Sequence, residues 1–141
     1  MTAVNVHASC VAFGNKAVLI RGPSGAGKSD LVLQLIDNQL KCATLVSDDQ
    51  TMLLRENSKV MVFPPPAIAG KLEIRGIGIV EVPYLPKAEL DLVIDLKPDK
   101  QIERMPDAIS LRTVILGVQF RCYFIDPTRP SAAAKIRALI S

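Results

Sequence analysis

Short apolar runs recur along the chain and are separated by polar residues, glycine or proline. Runs of this kind, rich in valine and isoleucine, are typical of strands. Some alternate apolar and polar positions, as LDLVIDL does, whereas AVLI is continuously apolar and indicates a buried strand. The pattern predicts strands over residues 4–13, 17–20, 42–47, 51–56, 59–63, 90–96, 110–116 and 119–126.

Helical spacing appears in two places. Leu31, Leu35 and Ile36 share one face of a helix that we predict over 28–39, and the alanine-rich segment 131–141 has the composition of a terminal helix. The first helix and the strands on either side of it form a βαβ crossover, which predicts parallel pairing of those two strands.

The middle of the chain adds antiparallel structure. Asn57-Ser58 predicts a hairpin between two apolar runs, and PPPAIAG (64–70) predicts a stiff, extended loop that is neither a helix nor a central strand. Residues 71–82 carry glycines at 76 and 78 between apolar residues. The expected fold class is therefore α/β, with a mixed, strand-rich sheet and few helices.

The composition is that of one compact domain over residues 1–141. Hydrophobic residues make up 49% of the chain and charged residues 22%, so the chain can form a core and is not expected to be disordered. The net charge of +3 comes without a stripe of lysine and arginine, and nucleic acid is therefore not an expected partner.

Membrane insertion and secretion are not expected either. The apolar runs are far shorter than the roughly 20 residues that cross a bilayer, and the first ten residues do not resemble a signal peptide. Cys10, Cys42 and Cys122 lie far apart in apolar stretches. We expect them to be reduced and buried in a cytoplasmic protein.

Residues 22–29, GPSGAGKS, match the Walker A pattern G-x-x-x-x-G-K-[ST]. Glycines let successive N–H groups converge on one anion, and the following helix N-terminus adds partial positive charge. Lys28 would add a full charge at the β- and γ-phosphates, and Ser29 would ligate Mg²⁺. The chain is predicted to bind a nucleoside triphosphate or a related phosphate through Gly22, Pro23, Ser24, Gly25, Ala26, Gly27, Lys28, Ser29 and Asp30.

Asp48 and Asp49 close the strand that follows the predicted helix. Ligands of open parallel sheets sit beyond the carboxyl ends of the strands, so this pair should face the same crevice as the Walker A loop. One carboxylate would hold Mg²⁺ through water, and the other chemistry available is general-base action on an attacking hydroxyl. A turn that caps the strand end is the alternative.

Other polar positions are ambiguous from the residues alone. Glu73 lies between two apolar residues and is at least as consistent with a solvent-facing strand position as with a ligand. His7, the only histidine, is more typical of a satisfied core residue than of a catalyst. Asp91 and Asp95 share one strand face, which the alternation explains as a solvated edge.

In this order, the motifs resemble those of the bacterial HPr kinase/phosphorylase family. HPr is the histidine-containing phosphocarrier of the sugar phosphotransferase system. The resemblance covers most of the chain, and its discriminating stretch is LEIRGIGIV, since unrelated proteins share the Walker A loop. The elements that carry it are His7, GPSGAGKSD (22–30), LVSDD (45–49), LEIRGIGIV (72–80) and residues 115–139.

The resemblance implies a P-loop kinase-like domain that phosphorylates a serine of the carrier with ATP. It also implies the reverse reaction, phosphorolysis of phosphoserine by inorganic phosphate to give pyrophosphate. Asp48 would be the general base, with His7 close to it and to the transferred phosphate. Lys28 and the loop amides would hold the β-phosphate, and Ser29 and Glu73 would bind Mg²⁺. Further candidates for the site are Asp49, Arg75 and Arg129.

The chain departs from the usual family pattern. It resembles the short form with the catalytic domain only, so we expect neither the N-terminal domain nor the longer C-terminal helical segment. Where the family usually reads R-P-G-R-N-L, this chain reads RPSAAA. Arg129 and Pro130 match, but Ala132 replaces the second arginine, which would weaken the phosphorylase reaction. The family also implies a hexamer.

Two alternatives remain beside the protein-serine kinase. A nucleotide- or phosphate-responsive binding module would regulate a carrier or sensor protein without phosphate transfer, and Ala132 favours it. A small-molecule kinase on the same scaffold would need an arginine-rich closing lid, which the sequence does not contain.

Overall fold

A computed structural model of the chain describes residues 2–37 and 43–140. Within these ranges, eleven strands and two α-helices form an α/β fold dominated by one nine-stranded sheet. The elements are β1 (Val4–Val6), β2 (Ala8–Phe13), β3 (Lys16–Arg21), α1 (Lys28–Ile36), β4 (Thr44–Ser47), β5 (Thr51–Glu56), β6 (Lys59–Phe63), β7 (Lys71–Ile74), β8 (Gly78–Glu81), β9 (Ala88–Leu96), β10 (Arg112–Ile115), β11 (Val118–Ile125) and α2 (Ala132–Ile140).

The large sheet is built around β9. Strand β3 runs parallel along one of its edges, while β6 and β11 share the other edge, β6 antiparallel near its start and β11 parallel towards its end. The sheet continues from β3 through β2 to β4, and from β6 through β5 to β1. Strand β10 pairs with β11, and β7 and β8 form a separate hairpin. The order β4–β2–β3–β9–β11 underlies the site described below.

Two apolar clusters form the core. In the first, Leu31 and Leu35 of α1 and Ile136 of α2 pack with side chains of β3, β9 and β7. In the second, Leu53 of β5 and Val62 of β6 pack with buried side chains of β2 and β4, so the two ends of the large sheet fold onto each other. Burial of this apolar surface is the main stabilising contribution to the fold.

The cysteines follow the expected pattern where the structure describes them. Cys10 and Cys122 are buried free thiols. Burial raises the pKa of Cys122 to about 11, with the Asp95 carboxylate adding to the effect, so this thiol stays protonated at neutral pH. Cys42 lies outside the described residues. No helix of the described ranges is both long and apolar enough to span a membrane.

Most predicted elements are confirmed. The hairpin around Asn57-Ser58 joins β5 to β6, the three strands predicted after residue 89 correspond to β9, β10 and β11, and the terminal helix is α2. Helix α1 is confirmed to Ile36 and ends at its C-cap, Asp37; residues 38–39 of the range predicted for it lie outside the described residues.

Two predictions about pairing are wrong. The strand predicted over 4–13 is interrupted at His7, because β1 pairs with β5 whereas β2 pairs with β3 and β4. The two strands of the predicted βαβ unit, β3 and β4, run in the same direction but are not neighbours. The tight turn at Gly14 makes β2 and β3 a hairpin, and β2 then lies between β3 and β4, antiparallel to both.

Two local predictions are also wrong. The loop over 64–70 contains a short 3₁₀ helix, Pro66–Ile68, because proline is readily accepted at the first position of a helical turn. Strand β9 is central, so Asp91 and Asp95 do not mark a solvated edge. Each instead forms an ion pair with a neighbouring strand, Asp95 with Arg21 and Asp91 with Arg121.

Candidate functional site

The Walker A segment forms a tight loop between β3 and α1. Gly25 and Gly27 have φ values of 79° and 102°, in the left-handed region that favours glycine. The Ala26 N–H donates to the Pro23 carbonyl at 3.1 Å and closes the turn. Gly27 is the N-cap of α1 and offers no side-chain acceptor, so the first N–H groups of the helix are free to bind an anion.

Lys28 lies inside this loop. Its ammonium donates to the carbonyls of Gly22 at 2.7 Å and Pro23 at 2.9 Å, and the residue is buried. Burial lowers the pKa of Lys28, and the carboxylates of Asp49 and Asp48 oppose that change. A phosphate in the loop would add negative charge beside the ammonium and stabilise its charged form.

A buried carboxylate, Asp48, lies directly after β4. The Ser29 hydroxyl is 2.9 Å from both of its oxygens, and the Ser9 hydroxyl donates to Oδ1 at 2.8 Å. The Glu73 N–H lies 3.4 Å from Oδ2, and Ser9 Oγ accepts from the Asp49 N–H at 3.0 Å. Donors from β2, α1 and β7 thus converge on the end of β4.

The interruption between β1 and β2 places His7 beside the loop. His7 Nε2 lies 2.8 Å from Asp49 Oδ1 and 3.4 Å from Ser24 Oγ. The imidazole is about half exposed, with 45% of its side-chain surface accessible. It therefore lies on the rim of the site and is not a core residue.

A cleft of about 660 Å³ opens over the loop. Its walls are the loop and first turn of α1, the end of β4, the β7–β8 hairpin and the segment after β11. The lining residues are Ser24, Gly25, Ala26, Gly27, Lys28, Ser29, Asp30, Asp48, Asp49, Ile68, Lys71, Glu73, Arg75, Ile79, Pro127 and Thr128.

Most of the predicted site residues thus meet in one cleft. Gly22 and Pro23 do not line the cleft, but their carbonyls accept hydrogen bonds from Lys28, which does. His7 likewise lies within hydrogen-bond distance of Asp49, which lines the cleft. Arg129 is placed differently, since its Nε donates to Asp99 Oδ2 at 2.6 Å. Arg129 is not among the residues that line the cleft, and its role in the site stays a prediction.

Sequence reasoning missed two parts of the site. Ser9 is a fully buried polar residue in an otherwise apolar strand, two positions after His7, and that pattern was the available signal. Pro127 and Thr128 follow the carboxyl end of β11. The rule that drew attention to Asp48, that ligands sit beyond strand ends, applies to them equally.

The oxygen donors around Ser29 fit Mg²⁺. The Ser29 hydroxyl and the Asp48 carboxylate are in contact, and Glu73 lines the same cleft. Mg²⁺ is usually held by one or two carboxylates together with phosphate oxygens and water. No group of three or more His, Cys, Asp or Glu side chains among the described residues could hold a metal by itself. A cation here would therefore also depend on phosphate oxygens.

The fold and the loop define the class of protein: a P-loop kinase-like α/β domain with a cleft beyond the ends of β3 and β4. The chain belongs to the HPr Serine kinase C-terminal domain family, whose model matches residues 1–136. The predicted family and fold class are both confirmed.

Individual relatives agree with this assignment. The HPr kinase/phosphorylase of Lactiplantibacillus plantarum is 36% identical over an alignment of 112 residues, and the match covers 72% of this chain and 35% of that protein. That of Geobacillus thermodenitrificans is 35% identical over an alignment of 111 residues, and the match covers 71% of this chain and 35% of that protein. The chain thus spans about a third of the length of these relatives.

The fold is shared with a solved structure, the Hpr(Ser) kinase/phosphatase from Coxiella burnetii. The TM-score is 0.83 at 27% sequence identity, and the match covers 97% of this chain and 93% of that chain. The β2 strand between β3 and β4 and the separate β7–β8 hairpin therefore belong to a fold already known for this family.

Proposed function

We propose that the chain is an ATP-dependent protein-serine kinase that acts on HPr or a paralogous phosphocarrier. The observation that carries the proposal is the buried Asp48 carboxylate, which is hydrogen-bonded to the Walker A serine at the edge of the cleft. The names of the relatives, HPr kinase/phosphorylase, supply the acceptor.

In the kinase direction, Asp48 accepts the proton of the carrier serine as the serine oxygen attacks the terminal phosphorus of ATP. The bond to the bridging oxygen breaks and ADP leaves. Lys28 and the loop amides hold the phosphate oxygens on which negative charge accumulates. Ser29 and Glu73 would hold Mg²⁺, which when bound neutralises further phosphate charge.

Ser9 orients the proposed base. If the Ser29 oxygen binds a cation, Asp48 loses its hydrogen bonds from Ser29. Its Oδ1 still accepts from Ser9, and its Oδ2 retains only the long contact with the Glu73 N–H. The hydrogen bond from Ser9 fixes the rotation of the carboxylate, so that one oxygen is held and the other can accept a proton. His7 would act from the rim, through its contact with Asp49.

We extend the proposal to phosphorolysis, in a weakened form. In that direction inorganic phosphate attacks the phosphorus of phosphoserine with the assistance of Asp48, the bond to the serine oxygen breaks, and pyrophosphate forms as the serine takes up a proton and leaves. Ala132 lies buried at the start of α2 and brings no charge, and Arg129 is paired with Asp99. These two observations support slower phosphorolysis than transfer from ATP.

Further parts of the proposal concern the setting of the site. We propose that residues 1–141 act as one catalytic domain, as part of a hexamer in the cytoplasm, with neither nucleic acid nor a membrane as a partner. The test is size-exclusion chromatography with light scattering, for which a hexamer is the expected result. A monomer that transfers phosphate at full rate would contradict the hexamer.

The function is tested by mixing the protein with Mg-ATP and purified HPr-type carriers and measuring the intact mass of each carrier. A single added phosphate on a serine is the expected result. A carrier that stays unmodified while ATP binds would favour the second candidate, a nucleotide-responsive binding module. The pairing of Arg129 with Asp99 is the observation that favours this candidate.

A Ser9→Ala variant is expected to transfer phosphate about tenfold more slowly and to bind ATP unchanged, because one hydrogen bond that orients Asp48 is lost. The measurement is single-turnover transfer alongside calorimetric titration of ATP. Ser47→Ala is a matched control, since Ser47 is also fully buried but its hydroxyl donates to the Gln50 carbonyl. If the transfer rate fell equally in Ser9→Ala and Ser47→Ala, Ser9 would support the fold only and would not orient Asp48.

A further inference from the structure

The segment after β11 is held by one carboxylate. Asp126 Oδ1 accepts from the Thr128 N–H at 2.9 Å and from the Thr128 hydroxyl at 2.7 Å, and Oδ2 accepts from the Asp99 N–H at 2.9 Å. The Thr128 hydroxyl, the Thr128 N–H and the Asp99 N–H lower the pKa of Asp126, so it stays ionised at neutral pH. The Arg129–Asp99 ion pair also joins this segment to the segment after β9, in which Asp99 lies.

This segment touches the Walker A loop. A Cβ built on Gly27 would lie 3.3 Å from Pro127 Cβ, so the proline ring packs directly on the loop backbone. Pro127 and Thr128 both line the cleft, and Thr128 is exposed to it. Nothing in the phosphate chemistry described above uses either residue.

The order of the strands shows on which side of the Walker A loop this segment lies. The Walker A loop follows β3, the middle strand of the order β4–β2–β3–β9–β11. Asp48 follows β4, two strands to one side, and Asp126 follows β11, two strands to the other side. Neighbouring strands are about 4.8 Å apart, so the two ends of the cleft are separated by the width of several strands. A triphosphate that lies along the loop with its transferring end at Asp48 would leave it on the side of Pro127.

We propose that residues 126–128 form the binding site for the ribose and base of the nucleotide, with Pro127 and Thr128 in contact with it and Asp126 as the positioning residue. The inference rests on the proposed kinase function and names the other half of the same ligand. The Pro127 ring offers an apolar face to the sugar or base. The Thr128 hydroxyl gives its proton to Asp126, so its oxygen is left to accept from a donor such as a ribose hydroxyl.

The test compares ATP with inorganic tripolyphosphate, which has the phosphates but no nucleoside. Asp126→Asn keeps an acceptor for Thr128 but turns an NH₂ group towards the Asp99 N–H, and therefore removes one of the two links between the segments. We expect the calorimetric Kd for ATP to rise about tenfold and that for tripolyphosphate to stay within about twofold. Thr128→Val removes the contacting hydroxyl without replacing Asp126, and the same selective loss is expected, about threefold.

Asp107→Asn is the matched control. Asp107 Oδ1 accepts from the Ile109 N–H in a similar turn outside the cleft, and both affinities should be unchanged. Equal weakening of ATP and tripolyphosphate in the Asp126 and Thr128 variants would overturn the inference, because the segment would then only shape the phosphate loop. Unchanged ATP affinity would overturn it as well. A wild-type protein that binds neither compound would instead refute the proposed function.

Discussion

An Asp48→Asn variant is expected to bind ATP as the wild type does and to transfer phosphate about 10²–10⁴ times more slowly, the usual range for the loss of a general base. The amide oxygen can still accept from Ser9 and Ser29, whose hydroxyls lie 2.8 and 2.9 Å from the carboxylate. The amide cannot take up the serine proton. The measurements are single-turnover transfer to an HPr-type carrier and titration of ATP.

Asp91→Asn provides the comparison for this variant. It makes the same chemical change on β9, in an ion pair with Arg121 outside the cleft, and should leave transfer unchanged. Transfer by Asp48→Asn at the wild-type rate would remove Asp48 from the mechanism. Thermal unfolding of each variant separates a chemical defect from loss of the fold.

A Lys28→Ala variant is expected to lose about two orders of magnitude in affinity for ATP, because charged hydrogen bonds to phosphate are among the strongest in proteins. Tripolyphosphate should be weakened to the same extent, since Lys28 lies in the phosphate loop and not beside Pro127. Without nucleotide, the melting temperature should change little, because removing the ammonium also removes the cost of burying it.

Lys135→Ala, on the exposed face of α2, is the corresponding control for the change in net charge. It should bind both compounds as the wild type does. If Lys28→Ala kept its affinity, the loop amides alone would have to account for phosphate binding.

The parts of the site that the sequence predicted are those encoded by contiguous residues. The Walker A loop needs only its own glycines, Lys28 and the strand and helix around it. Glu73 was ambiguous from its own position, and only its place in LEIRGIGIV marked it for the site. The structure brings both segments, together with Asp48, to one cleft.

The parts that were missed depend on which strands lie side by side. Local patterns predict strands but not their partners, so the interruption at His7 and the position of β2 between β3 and β4 could not be deduced. Ser9 lies near the site because the start of β2 pairs with the end of β3, and Asp126 follows β11, which is separated from β3 by β9. Arg129 was expected at the site from its motif, but the turn that Asp126 holds places it against Asp99.

The position of the Lys28 ammonium also bears on selectivity among anions. The Gly22 and Pro23 carbonyls accept from two of its three donors, at 2.7 and 2.9 Å. An anion that binds the ammonium must compete with these internal acceptors. A chloride ion, with one charge and no geometry to match the converging amides, is expected to compete poorly with them. A polyphosphate offers several charged oxygens at once, so we expect the loop to prefer polyphosphates to chloride.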